Sequence, residues 1–597
     1  LPALSLVAAA GILAVAAANV GAARGEWWAD LAFFGGLLLL VMPIALRLLT
    51  EGVGRNERIS LVSLLGLSLF ACKVLRDPLR VGAYDEFLHW RTAEDMVLTG
   101  TVFSPNTLLG VSPYYPGIEL ATTALSETAG IPIFEAGILT LALARLAFVV
   151  SLFLFFEMAS GRSRVAGIAT LIYMTNPKFL YFNAQFSYET LALPLAAFAL
   201  FLLARRGRSA GARWLGLTVI ALVTLPAVVI THHVTSAMLA GFLVVWGAVA
   251  ILLRRQDPSR SQPGRMGALT VSLIAAWTLL AATATVGYLG PAVTSTFTEM
   301  IRLIAGELDP RQLFVSRGGD TSPLWERVIG SGSAALVLLL LPLGLLIVWG
   351  RYRRSSVVIA LAVIAAVYPA TLAARLTRVG AEVATRTPEF LFLGIGLIIA
   401  LVLARFSYRG PRAWLHSGVA LVLIATLTLG GVIVGIAPWG RLPGPYLVAA
   451  DARSIEQEGI SAATWAREVL GTGNAMVADR VNRILMSAYG QQSMITTYET
   501  RLPVRRLYLT QEIEPVHRDI VRAGGIEYLV ADRRLTTALP VVGHYFDRGE
   551  EAIVGRRAVP LDPVLLDKFD RLPEVNRIFD SGNIRIYDIS GLAAQPQ

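Results

Sequence analysis

Apolar runs about twenty residues long recur along this chain from its first residues to position 437, and then cease. A bilayer core about 30 Å thick takes roughly 20 apolar residues per helix. On that spacing thirteen spans are predicted, near 4–23, 29–50, 59–76, 133–157, 164–180, 188–204, 214–231, 234–253, 267–289, 332–350, 356–374, 388–404 and 414–437. The stretch 3–23 is read as a span because it is long for a cleaved signal and has no basic lead. Between the fifth and sixth spans, "NPKFLYFNAQFSY" (176–188) has the polar content of a re-entrant connection between short helices.

After Gly440 the pattern changes. Charged residues become frequent and apolar runs shorten. "ISAATWAREVLG" predicts a helix capped by Ser461 and stopped at Gly471, and "EPVHRDIVRAGG" a helix ended by glycines. "NAMVADR" and "IEYLVADRRL" read as strands, and "VNRIFDSGNIRIYDI" as a hairpin turning at Ser581-Gly582. The expected fold is a polytopic α-helical membrane domain over 1–438, followed by a soluble extracytoplasmic α/β domain over 439–597.

Composition agrees: 55% of residues are hydrophobic and 16% charged, well below the roughly 25% charged of soluble domains. The net charge of +10 does not indicate nucleic acid, because the arginines sit in short clusters between spans. Arg47/Arg55/Arg58, Arg162/Arg164, Arg205/Arg206/Arg208/Arg213, Arg254/Arg255/Arg260/Arg265, Arg351/Arg353/Arg354 and Arg405/Arg409/Arg412 all fall in alternate loops. By the positive-inside rule those loops and the N-terminus are cytoplasmic. The opposite loops, 77–132 and 290–331 among them, and everything after 438 then face outside. Cys72 is the only cysteine, which excludes an intrachain disulfide.

Loop 77–132 is too long for a plain connector. Its "YDEFLHW" segment places Asp85 and Glu86 side by side, with His89 one helical turn on. Phe87, Trp90, Ala93 and Val97 share one face of a predicted helix that would lie in the membrane interface with Trp90 at headgroup level. A second helix is expected after Tyr114-Tyr115-Pro116. Carboxylates at the edge of hydrocarbon are costly and point to function. Asp85 also has the position of a helix N-cap, and the residues alone leave both readings open.

An acidic pair in a first large outer loop, the segment "NPKFLYFNAQFSYETLALPLAAFALFLL" and an outer C-terminal domain together resemble the GT-C class of membrane glycosyltransferases. That class includes the protein O-mannosyltransferases, aminoarabinose transferases and arabinofuranosyltransferases. "THHVTS" (231–236) and "RTPEFLFLG" (386–394) add to the likeness, which covers residues 59–437 in architecture. The chain carries an extra span ahead of the acidic loop, so no other site is carried over by helix number. The resemblance implies an inverting enzyme that moves a sugar from a polyprenyl-phosphate donor to a hydroxyl acceptor on the outer face. Asp85 would be the general base, with Glu86 positioning the acceptor or serving as a second base.

Phosphate binding suits arginine, whose planar fork matches phosphate geometry. Arg386 is the first candidate, with Arg375 and Arg378 in the same loop; headgroup contact is the alternative for all three, most of all for Arg375 and Arg378. Lys178, Tyr188 and Glu189 form a candidate donor wall, against simple interfacial anchoring. His89, His232 and His233 complete the donor-side set. The adjacent pair lacks the i, i+4 spacing of a two-ligand metal motif. The resemblance implies no metal or other cofactor, with a divalent ion shared by Asp85, Glu86 and a histidine as the alternative. "TFTEMIRLIAGEL" and the turn-like "SRGGDTSP" in loop 290–331 suit either a cover over the substrate or a connector.

The expected partners are the lipid-linked donor, a glycan, lipid or protein acceptor, membrane lipids and other membrane subunits, with no nucleic acid. The alternatives are a transporter of lipid-linked glycan and a non-catalytic assembly partner. A transporter would show repeats and charge in mid-span, whereas here no repeat is found and the acids concentrate at the outer edge.

Overall fold

The computed structural model describes the chain except residues 254–261, 308–309, 316–318, 320, 407, 409–412, 548–549, 551–558 and 595–597, and except the side chains of 289, 291–297, 300, 304 and 378. The expectations placed on Arg254, Arg255, Arg260, Arg409, Arg412, the Arg378 side chain and much of "SRGGDTSP" therefore lie outside the described residues.

The protein is a polytopic helical membrane protein. Among the described residues, nine helices are long and apolar enough to cross a bilayer. They are Pro2–Ala23, Ala29–Leu49, Ile133–Ser160, Tyr188–Arg206, Gly211–Thr231, His233–Leu252, Leu324–Arg351, the Ser356–Ala374 stretch and Ala413–Gly435. The other four predicted spans are also helical but shorter or more polar. Arg55–Val74 opens on charged residues, Ser163–Tyr173 has 11 residues, and Pro388–Leu403 has 16. The 267–289 span is corrected: one helix ends at Leu280 and another starts at Ala284. The outer loop holds both sides of that break. Trp277 Nε1 donates to the Tyr114 carbonyl at 3.0 Å, and the Tyr115 and Thr285 hydroxyls are 3.0 Å apart.

The fifth span ends at Tyr173, and residues 174–187 run without regular α-helix to Tyr188, as the polar content of 176–188 suggested. Non-helical backbone at membrane depth needs partners for its carbonyls. Buried Arg145 supplies them: its Nη2 donates to the carbonyls of Phe179 (3.0 Å) and Asn183 (2.8 Å). On the other side the segment lies against the Ala413–Gly435 helix. A Cβ at Gly431 or Gly435 would collide with the carbonyl oxygens of Thr175 and Pro177, so only glycine permits this approach.

The C-terminal region forms a five-stranded sheet. Its strands are β1 (Ala475–Val477), β2 (Ser493–Met494), β3 (Tyr528–Asp532), β4 (Asn576–Asp580) and β5 (Ile584–Asp588), in the order β2-β1-β3-β5-β4. β1 is parallel to β2 and β3, whereas β5 is antiparallel to β3 and β4. The expected hairpin turns at Gly582 (φ +100°). The Ser461 cap is corrected: that helix starts earlier, at Gln457, and ends at Gly471 through a wider final turn. Strand β2 and the Arg480–Ala488 helix were not foreseen.

Loop 77–132 carries the two expected helices, Tyr84–Thr99 and Gly117–Ala129. The first does not rest on headgroups through Trp90. Phe87 and Leu88 are buried in a core shared with Ile484, Leu485, Met494 and Ile584 of the soluble domain, and Trp90 packs edge-on against Tyr489. Each such burial stabilises by roughly 1.5–3 kcal/mol. Arg91 adds bonds to the carbonyls of Ser487 (2.5 Å) and Gln492 (3.4 Å). Loop and domain thus form one body on one face of the membrane region. The arginine-rich turns around 47–58 and 157–164 meet at the opposite end, where Arg55 binds Glu157 at 2.8 Å.

Candidate active site

The two adjacent acids have different surroundings. Asp85 is the second residue of the Tyr84–Thr99 helix, whose N-cap is Ala83, so Asp85 is not the cap. It is half-buried, and among the described residues no hydrogen bond or ion pair engages its carboxylate. Tyr188, Glu189, Arg386 and Arg480 all lie within its electrostatic reach.

Glu86, expected beside it as a second base or acceptor holder, is instead turned inward. It is 2% exposed. Its Oε1 pairs with Lys73 Nζ and accepts the Phe186 N–H at 2.9 Å. Its Oε2 accepts the N–H groups of Gly82 (3.2 Å) and Ala83 (3.0 Å). Burial alone would raise this carboxyl's pKa, but Lys73 and the backbone donors hold it below the ordinary value. Glu86 thereby fixes the start of the helix to the 174–187 segment, which sets where Asp85 stands.

Arg386 precedes the Pro388–Leu403 helix. It is half-buried, and no ion pair or side-chain hydrogen bond engages it among the described residues. Burial opposes its charge, yet Tyr288, Tyr188, Glu189 and Asp85 around it hold its pKa above the ordinary arginine value. Lys178 Nζ sits 3.4 Å from the centre of the Phe182 ring, with no carboxylate in ion-pair contact among the described residues. Buried Glu189 and Glu389 act electrostatically on each other, and Lys178 on both; the Glu389 carboxyl oxygens have no hydrogen-bond partner among the described residues. Glu389 lies in the quoted "RTPEFLFLG", but nothing in the apolar run after it marked it as part of the site.

The histidines are buried and form a wall rather than reaching outward. His89 Nδ1 meets Glu119 Oε1 at 2.6 Å, and its ring packs edge-on against Tyr188 at 4.3 Å. His232 stacks on the other side of Tyr188 at 4.4 Å, with its Nδ1 2.8 Å from the Thr235 hydroxyl. His233 packs against Tyr115 (4.9 Å) and Tyr288 (5.8 Å). Glu119, Tyr115 and Tyr288 were not expected here; they come from three separate elements. Among the described residues no three His, Cys, Asp or Glu side chains converge as metal ligands.

Arg375 lies apart from this cluster. With Arg311 it lines an apolar groove of about 750 Å³ between the Leu324–Arg351, Pro388–Leu403 and Ala413–Gly435 helices. The groove extends to Thr385 and Thr387, the neighbours of Arg386. The soluble domain also reaches the site. Arg480 lies 4.1 Å over the Tyr84 ring and bonds Asp451 at 2.7 Å, and Arg483 donates to the Tyr84 hydroxyl at 2.9 Å.

No protein-family model and no curated protein matches the sequence. Solved structures do match. The oligosaccharyltransferase of Archaeoglobus fulgidus, in complex with Zn and sulfate, aligns over 88% of this chain and 79% of its own at 12% identity, with a TM-score of 0.53. The same enzyme tethered by a disulfide to an acceptor peptide containing the NVT sequon aligns over 81% and 69%, at 12% identity and TM-score 0.50. ArnT from Cupriavidus metallidurans, bound to undecaprenyl phosphate, aligns over 91% of this chain and 100% of its own, at 12% identity and TM-score 0.52. Both enzymes are GT-C glycosyltransferases, and the chain has their fold.

Proposed function

We propose that this protein transfers a sugar from a polyprenyl-phosphate donor to a hydroxyl group of an acceptor on the outer face of the plasma membrane, with inversion at the anomeric carbon. The reading rests above all on Asp85: a half-buried carboxylate without a partner among the described residues, within electrostatic reach of Arg386, likewise unpaired among them, which adjoins an apolar groove. ArnT's bound undecaprenyl phosphate supports a lipid of that kind in the groove. The N-terminus and the arginine-rich turns would be cytoplasmic, and loop 77–132 and the soluble domain extracytoplasmic.

In this reaction Asp85 takes the proton of the acceptor hydroxyl as its oxygen attacks the anomeric carbon. The bond from that carbon to the phosphate oxygen breaks, and its electron pair stays on the phosphate. Arg386 and Lys178 stabilise the charge that grows there. Tyr188, between His89 and His232, lines the sugar position. In this reading the two cations meet the phosphate charge without a metal ion, so transfer is expected to persist in EDTA.

The test uses the full chain in nanodiscs. Undecaprenyl phosphate binding is measured by native mass spectrometry, and sugar transfer from polyprenyl-phosphate donors is compared with Asp85→Asn. Unchanged lipid binding with transfer lost in the variant supports the proposal. Full transfer by the variant removes Asp85 as the base, and lipid-linked glycan crossing vesicles without transfer replaces the reading with a transporter.

A further inference from the structure

Resting on that reading, we propose that a cleft between loop 101–114 and the soluble domain is a saccharide subsite that holds the acceptor. The cleft measures about 260 Å³ and is lined by Phe103, Thr107, Tyr114, Met494, Glu499 and Thr500. Its walls are fixed to each other. Thr107 Oγ1 accepts the Met494 N–H at 3.1 Å, and Glu499 Oε1 accepts the Gly110 N–H at 3.0 Å. Buried Asn106 braces the loop from behind, donating to the Leu88 carbonyl and accepting the N–H groups of Leu108 and Leu109.

The chemistry fits a sugar. Phe103, 52% exposed, stacks on Tyr114 at 6.2 Å and 25°, which gives an aromatic surface beside polar groups. Sugar rings present an apolar C–H face to such a surface and hydroxyl edges to acceptors. Glu499 Oε2 has no hydrogen-bond partner among the described residues and is placed to accept from a hydroxyl. An acyl chain in the cleft would strip water from that carboxylate without replacing its bonds, and an anionic ligand would be repelled by it. A neutral or amino sugar meets neither cost.

Packed rings also lead from the cleft toward the reacting groups. Exposed Tyr498 lies beside it, 6.5 Å from Tyr288. Tyr288 leads through His233 to Tyr188, in steps of 5.8 Å and 5.6 Å. The cleft thus stands on the same face as Asp85, joined to it through a packed row of rings.

The experiment is saturation-transfer NMR on the full chain in nanodiscs, with a panel of neutral gluco-, manno-, galacto- and arabino-oligosaccharides. Phe103→Ala and Glu499→Gln are compared with the parent; the second keeps the oxygen that accepts from Gly110. We expect at least one oligosaccharide to bind and both substitutions to weaken it at least tenfold, with thermal stability and undecaprenyl phosphate binding unchanged. Silence from the whole panel, or equal binding by the variants, overturns the subsite. Lipid binding reads the donor side separately, so either half can fail without the other.

Discussion

The two ends of the helical bundle use the same residue types differently. At the end carrying the arginine-rich turns, Arg47, Arg55, Arg58 and Arg164 are matched. Arg47 bonds Glu57 through two contacts of 2.6 and 3.0 Å, and Arg55 bonds Glu157 at 2.8 Å. Buried Arg58 donates to the carbonyls of Leu48, Thr50 and Val53. At the other end Asp85, Lys178 and Arg386 have no such partners among the described residues, although each is half-buried. Partial burial without pairing is costly. The first end is arranged for stability and orientation, and the second keeps charges available to a ligand.

Asp85 and Glu86 repeat this contrast within two residues. The largest expected effect is therefore that of Asp85→Asn, which removes the base without removing a bond. Transfer should fall by roughly 10²–10⁴-fold, with the melting temperature in detergent unchanged. If the variant instead melts lower, Asp85 belongs with the matched charges and the contrast fails.

Glu86→Gln leaves Lys73 largely buried without its partner, a change expected to cost about 3–5 kcal/mol and to lower the melting temperature. Its pH dependence is a second check. The folded pKa of Glu86 is depressed, so its stabilisation is present above the unfolded value of about 4.3 and fades as pH falls through the lower folded value. Thermal stability scanned from pH 6 down to 3 should fall less steeply in Glu86→Gln than in the parent.

Arg386→Ala should weaken undecaprenyl phosphate binding by about 10- to 100-fold, or about 1.4–2.8 kcal/mol, measured by titration in nanodiscs. Arg375→Ala sharpens the comparison. Arg375 lies with Arg311 in the groove rather than with Asp85, so its removal should weaken the lipid without altering the chemical step in single-turnover transfer. The smallest effect belongs to the opposite end. Arg47→Ala breaks a largely exposed pair and should cost less than about 1 kcal/mol by thermal denaturation.

Much of the fold was legible because hydrophobicity along one chain is a local property. Each predicted span is helical over most of its length, except for residues 174–180 of the fifth and the break after Leu280, and the alternation of arginine clusters agrees with loop 77–132 and the soluble domain sharing one end. Where the pattern erred, a distant contact intervened. The 267–289 span is broken where Trp277 and Thr285 bond the outer loop, and Trp90 turned from the interface to Tyr489. In the site, the short motif around Asp85 and the basic loop with Arg386 stood out as charge beside apolar runs. Glu389, Glu119 and Tyr288 did not, because nothing near them in sequence is unusual.

The sequence by itself determined that the chain crosses a membrane many times and that Asp85, Glu86 and Arg386 stand beside apolar runs. Those properties follow from residue composition within a single span or loop. Only the tertiary structure decided which acid is free. Asp85 and Glu86 are neighbours in sequence, and their difference arises from Lys73 and Phe186, residues 12 or more positions away that close on one carboxylate and leave the other open. Pairing is a property of three-dimensional proximity, and no local pattern records it.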